Sequence, residues 1–111
     1  MWSTRFYSGI VILQWLRVEG SSLSPNFEDG DYVLVSSVPI LLSGIHPGDV
    51  VVFRHPYHGK MIKMVERLES ESRSIFVVGT NDSSVDSRTF GPIPRRLVMG
   101  KVVAHIAKTN R

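Results

Sequence analysis

The chain has 111 residues, 42% of them hydrophobic and 21% charged, with a formal net charge of +3 and no cysteine. That length suits a single domain over residues 1–111, and the balance is that of a globular core rather than of a disordered, collagen-like or coiled-coil sequence. The missing cysteines exclude disulfide frameworks, thiol nucleophiles and thiolate metal sites, and they leave the redox compartment unread.

The first apolar stretch, Gly9-Ile-Val-Ile-Leu13, ends at Gln14 and falls far short of the roughly 20 residues that span a bilayer. The N-terminus carries no signal-peptide pattern. The expectation is a soluble or membrane-peripheral domain with no transmembrane helix in this chain, its compartment unassigned. Strand-like segments follow in order: Ile10–Val18, Asp31–Ser36, Asp49–Arg54, Lys60–Leu68, Ser74–Gly79 and Val98–Ile106. Each is rich in Val, Ile or Phe and bounded by Gly, Pro, Asp, Asn or Ser. Glu28-Asp-Gly-Asp31 and His46-Pro-Gly-Asp49 read as tight turns that each launch a strand. Helical signals are weak, with one turn expected within Pro92–Leu97. Short strands separated by turns predict an all-β fold, either a compact barrel or two small antiparallel sheets.

Charge is unevenly placed. Every acidic residue lies between Glu19 and Asp86, and after Asp86 come Arg88, Arg95, Arg96, Lys101, Lys108 and Arg111. A solvated basic face is the plain reading, and peripheral contact with an anionic membrane or an acidic peptide is the functional one. No nucleic acid is expected as a partner, because the basic residues are not interleaved with the aromatics that stacking requires.

Three stretches carry chemistry. In Val18-Glu-Gly-Ser-Ser-Leu-Ser-Pro-Asn-Phe27 a strand breaks into a Gly/Ser turn, where a hydroxyl can be presented as a nucleophile or simply close a turn. In Lys60-Met-Ile-Lys-Met-Val-Glu-Arg67 strand alternation puts Lys63 on the same face as Met61 and Val65. A lysine so flanked is either desolvated, with a lowered pKa and use as a general base, or snorkels to solvent. In Gly79-Thr-Asn-Asp-Ser-Ser-Val-Asp-Ser-Arg-Thr-Phe-Gly91 short polar side chains follow an apolar strand, as a surface loop or as a clasp that orients a catalytic group.

Together these stretches resemble the signal peptidase I family of Ser/Lys-dyad serine proteases. Gly20-Ser21-Ser22-Leu23-Ser24-Pro25 matches the family's Gly-x-Ser-Met-x-Pro, Gly30-Asp31 its next Gly-Asp, and Gly48-Asp-Val-Val-Val-Phe53 its following strand. Ile62-Lys63-x-Val65 matches the lysine segment, and Gly79, Asn81, Ser84, Asp86-Ser87-Arg88 and Phe90-Gly91 the last motif. The resemblance implies a serine endopeptidase that removes an N-terminal leader or pro-segment from a precursor protein, without cofactor or metal. It implies Ser22 as nucleophile and Lys63 as general base. Backbone N–H groups of the Gly20, Ser21 and Ser22 turn become the oxyanion hole, Ser84 orients the lysine, and Asp86 with Arg88 forms a structural pair. Pro47-Gly-Asp-Val-Val-Val-Phe-Arg-His-Pro56 and Asp86-Ser-Arg-x-Phe-Gly-x-Ile-Pro94 also look like the small proteases that mature nickel-type superoxide dismutase.

Departures from the family pattern are specific. Leu23 stands for Met, Met64 for Arg after the lysine, and Thr80 for the Asp of Gly-Asp-Asn. Gly20 occupies the place where some relatives carry an oxyanion-binding Ser, which leaves backbone N–H groups, Ser21 or water to serve. A catalytically weak or inactive peptide-binding relative is the alternative. A Ser/His/Asp triad drawing on His46, His55, His58 or His105 lacks the Gly-x-Ser-x-Gly elbow, and the dyad leaves no task for a histidine. The pair in His55-Pro-Tyr-His58 has no evident third metal ligand.

Overall fold

The computed structural model describes residues 5–8, 11–20, 23, 26–69, 71, 73–80 and 84–108. Among them, eight strands make up one antiparallel sheet: β1 (Arg5–Ser8), β2 (Val11–Arg17), β3 (Tyr32–Ser36), β4 (Val50–His55), β5 (Gly59–Glu69), β6 (Ser74–Val78), β7 (Ile93–Pro94) and β8 (Val98–Ile106). Their order across the sheet is β1-β2-β3-β8-β4-β5-β6-β7. The all-β expectation holds, and the six strands read from the sequence lie within a residue of their observed ends. Of the two arrangements left open, separate small sheets are not found, because β8 pairs with both β3 and β4 and so joins the halves.

The unbroken apolar run Val50-Val-Val-Phe53 explains why β4 is interior. Val51 and Phe53 enter one hydrophobic core with Ile45, Val65, Ile75, Val77 and Ile93. Val52 points the other way, into a second core with Leu16, Val18, Val33 and Val35. A strand covered on both faces needs no polar alternation. Beside it, Gly100 of β8 faces Val52 at a register shift, and a Cβ there would lie 2.8 Å from the Ser36 carbonyl. Only glycine allows β8 to lie that close to β3.

Two short helices depart from the sequence reading: α1 (Val38–Ser43) and α2 (Ser87–Phe90). α1 starts after Ser37, whose hydroxyl accepts from the Ile12 N–H at 2.8 Å, and takes Pro39 in its first turn, where a missing donor is harmless. The turn expected within Pro92–Leu97 is present as a 3-10 turn at Arg95–Leu97. No helix among the described residues is long and apolar enough to cross a membrane.

The two Gly-Asp turns are built alike. Asp31 accepts from the Glu28 N–H at 2.9 Å, and Asp49 from the His46 N–H at 2.7 Å. Each carboxylate is then held by a side chain of β8, Asp31 by His105 at 2.7 Å and Asp49 by Lys101 at 2.8 Å. The last strand therefore fixes the turns that launch β3 and β4.

Candidate active site

β2 ends at Arg17, and the next residue, Val18, bonds the Asp31 carbonyl through its N–H at 2.7 Å and accepts from the Gly30 N–H at its carbonyl. The strand then breaks at Gly20, which has φ +88 and donates its N–H to Asp29 at 2.9 Å. A left-handed residue directly after a paired strand turns the chain sharply, and glycine adopts that conformation without strain. Beyond the turn Leu23 is buried, and its carbonyl accepts from the Phe27 N–H at 3.0 Å. The segment is thus tied on both sides of Ser22. Ser21 and Ser22 themselves lie outside the described residues, as do Ser24, Pro25 and Asn81.

Lys63 lies on β5 opposite Val51 and is only 3% exposed. It shares a strand face with Met61 and Val65, both of which pack with the first core. Of the two readings of this lysine, snorkelling to solvent is excluded. Burial, first of all, moves its pKa below the ordinary lysine value. The negative charge of Asp86 works upward against this, and the positive charge of Arg88 adds to the lowering.

The Asp86 carboxylate is fully buried at the N-terminus of α2. It accepts from the Gly79 N–H at 2.8 Å, the Arg88 N–H at 2.9 Å and the Arg88 guanidinium at 2.6 Å. Burial pushes its pKa up, but these hydrogen bonds and the guanidinium charge prevail and hold it below the usual carboxylate range. Ser87 Oγ accepts from the Val77 N–H at 2.9 Å. Val77 and Gly79 are the ladder donors left open where the short pairing of β7 with Ser74 and Ile75 stops. The side chains of Asp86, which caps α2, and of Ser87, its first residue, thus continue the sheet edge and fix Asp86 beside the strand that neighbours β5. Ser84 is half-buried in the approach to α2.

A cleft of about 370 Å³ is lined by the end of β2 and by β5, with Lys63 among its residues, whereas Ser84, Asp86 and Arg88 do not line it. Arg17, Val18 and Glu19 form one wall where β2 leads to Gly20, and Lys60 through Lys63 form the other. Leu16, Val33 and Val52 supply an apolar floor, and His58 stands at the rim. Lys63 thus stands, with its pKa lowered by burial, in a cleft that combines an apolar floor with the charged side chains of Arg17, Glu19 and Lys60.

The histidines have tasks that the sequence did not reveal. His105 anchors Asp31 and packs at a tilt against Phe27, ring centroids 4.6 Å apart, and it does not line the cleft. His55 Nδ1 accepts from the N–H groups of Tyr57 and His58, closing the hairpin tip, and its ring packs on Phe90. Among the described residues no group of three His, Cys, Asp or Glu side chains is placed to hold a metal. The sequence signal for the Asp31 anchor was present only as a Gly-Asp turn, since its partner stands 74 positions away.

The family model described as signal peptidase, peptidase S26, matches residues 4–71 and 67–107. Signal peptidase I V of Bacillus subtilis (strain 168) is 38% identical over 56 residues, covering 50% of this chain and 33% of that protein. Mitochondrial inner membrane protease subunit 1 of Mus musculus is 30% identical over 104 residues, covering 75% of this chain and 63% of that protein. The chain spans a third of one relative's length and under two thirds of the other's. With the family model covering almost all of it, this chain belongs to the peptidase S26, or signal peptidase, family.

Proposed function

We propose that the chain is a serine endopeptidase working through a Ser22/Lys63 dyad to remove an N-terminal leader or pro-segment from a precursor protein. The observation that carries this reading is the buried Lys63 on the wall of a cleft whose opposite wall leads directly into Gly20-Ser21-Ser22. Neutral Lys63 takes the Ser22 proton as the hydroxyl oxygen attacks the scissile carbonyl. The Gly20 N–H, expected as an oxyanion donor, is already given to Asp29, so the backbone N–H groups of Ser21 and Ser22 hold the oxyanion, each such donor being worth roughly 3 kcal/mol of barrier. The protonated lysine then gives its proton to the leaving amine as the peptide bond breaks. A water that loses a proton to Lys63 hydrolyses the acyl-enzyme, and Ser22 regains its proton from the lysine.

Ser84 serves as the hydroxyl that orients the lysine amine, while Asp86 and Arg88 hold the loop that carries it. The substrate adds as an extended strand along the cleft. Within the family, the compact hairpin at His55–Gly59 and the Asp86-Ser-Arg-x-Phe-Gly segment favour maturation of nickel-type superoxide dismutase as the narrower task. Peripheral contact with an anionic membrane accompanies this role.

The test is cleavage of a precursor panel, including a nickel superoxide dismutase precursor and ordinary secretory precursors, with product N-termini sequenced. Cleavage at one site by the wild type, abolished in Ser22→Ala and Lys63→Ala, is the expected result. Peptide binding without cleavage by any of the three proteins would move the reading to a peptide-binding relative.

A further inference from the structure

Helix α1, Val38-Pro-Ile-Leu-Leu-Ser43, contains no charged residue. Its Ile40 packs on the first core, yet Val38, Leu41 and Leu42 face outward at 40%, 57% and 80% exposure. These three occupy positions i, i+3 and i+4 and so form one apolar stripe on the solvent side. A helix that is apolar on both faces is ordinarily covered on both. Next to it opens a second cleft of about 480 Å³, floored by Ile40, Ile45, Pro94 and Val98 and edged by Arg73, Arg95 and Arg96. Among the described residues no carboxylate lines it.

The arginines are drawn together by the backbone. The Arg95 N–H donates to the Arg73 carbonyl at 3.1 Å, and the Arg95 guanidinium reaches the end of α1 at Gly44. Arg73 has φ 54, the one non-glycine residue with positive φ among those described.

We propose that α1 and this arginine triad form a docking surface for an anionic lipid bilayer. The reading rests on the peripheral membrane contact given above and names the surface that makes it. Val38, Leu41 and Leu42 enter the boundary between headgroups and acyl chains, while Arg73, Arg95 and Arg96 meet lipid phosphates. Insertion plus a basic cluster is the two-part signal that stable peripheral binding requires. A second copy of the chain fits poorly, because a two-fold contact would set the triad against itself. Nucleic acid would leave the leucines without use.

The test is co-sedimentation of the Ser22→Ala protein with vesicles of phosphatidylcholine alone or with a third phosphatidylglycerol, at low and high salt. Binding to the anionic vesicles only, weakened by salt, is expected. Arg73→Gln, Arg95→Gln and Arg96→Gln should each weaken it about five-fold, and Leu41→Ser with Leu42→Ser should abolish most of it. Arg54→Gln on β4 should leave it unchanged, and thermal unfolding shows that each variant is folded.

No vesicle binding by the parent protein would overturn the membrane reading as a whole, without touching the peptidase reading, since Ser22 is already absent. Binding that survives the arginine and leucine changes would overturn the assignment of this surface. Capture of an acidic peptide instead, lost with the arginines, would identify a protein partner and likewise overturn it.

Discussion

Asp31 and His105 stand 74 positions apart in the chain and meet at 2.7 Å, with the aspartate fully buried. The same carboxylate accepts from the N–H groups of Glu28 and Lys108, so three segments converge on it. One of them is the turn that receives Val18 and Gly20, the residues that lead to Ser22.

Removing His105 should therefore cost stability and also loosen the segment that leads to Ser22. His105→Ala is expected to lower unfolding free energy by about 1–3 kcal/mol, and Asp31→Ala by about 3 kcal/mol or more because several donors lose their acceptor. The double variant should cost less than the sum of the two, which a denaturant double-mutant cycle would read. Strict additivity would show that the contact does not couple the segments.

Burying Lys63 costs stability. Its folded pKa lies below the unfolded value of 10.5, so between the two the unfolded chain holds more protons. Stability then rises with pH through that window. Lys63→Met should be more stable than the wild type by on the order of 1–3 kcal/mol near neutral pH, with the advantage fading as pH climbs toward 10.5. Thermal unfolding across pH reads this directly. A Met variant less stable than the wild type at pH 7 would contradict it.

Arg88 keeps the Asp86 charge occupied. In Arg88→Gln the guanidinium is lost and Asp86 acts on Lys63 less opposed, and both changes raise the lysine pKa. The ascending limb of the pH–activity profile should move to more alkaline pH, with activity near pH 7 falling several-fold. Asp86 itself, depressed in the folded state, contributes stability above its unfolded value of 3.8 that is lost as pH falls through the folded value. That acid loss should begin at higher pH in the variant. A profile that keeps its midpoint while only stability drops would assign Arg88 a purely structural role.

Gln14 is 2% exposed on β2, and among the described residues its side-chain oxygen has no hydrogen-bond partner. An unmade bond at a buried acceptor costs about 1–3 kcal/mol. Gln14→Leu should raise the melting temperature by several degrees, since about 1 kcal/mol moves a domain of this size by roughly 4–8 °C. A drop would show that the oxygen is satisfied in solution.

What the sequence disclosed and what it concealed follow from range. Strand alternation and the Gly-Asp turns are local, so β2 through β6 and β8 could be placed within a residue. Lys63 was legible because Met61 and Val65 flank it on the same face. α1 escaped notice because its six residues are apolar on both sides and give no amphipathic period, and β7 because two residues carry no pattern. The pairing of Asp31 with His105, of Asp49 with Lys101 and of Ser87 with the Val77 N–H needs the sheet order, which no local window holds.

The most direct test of the central claim is titration of the Lys63 amine by NMR in protein labelled at the lysine side chains, beside the pH profile of precursor cleavage. The Lys63 signal, assigned by its loss in Lys63→Arg, should titrate below the remaining lysines, and the ascending limb of cleavage should share its midpoint. A Lys63 that titrates with the exposed lysines, or cleavage that survives Lys63→Ala, would contradict the account.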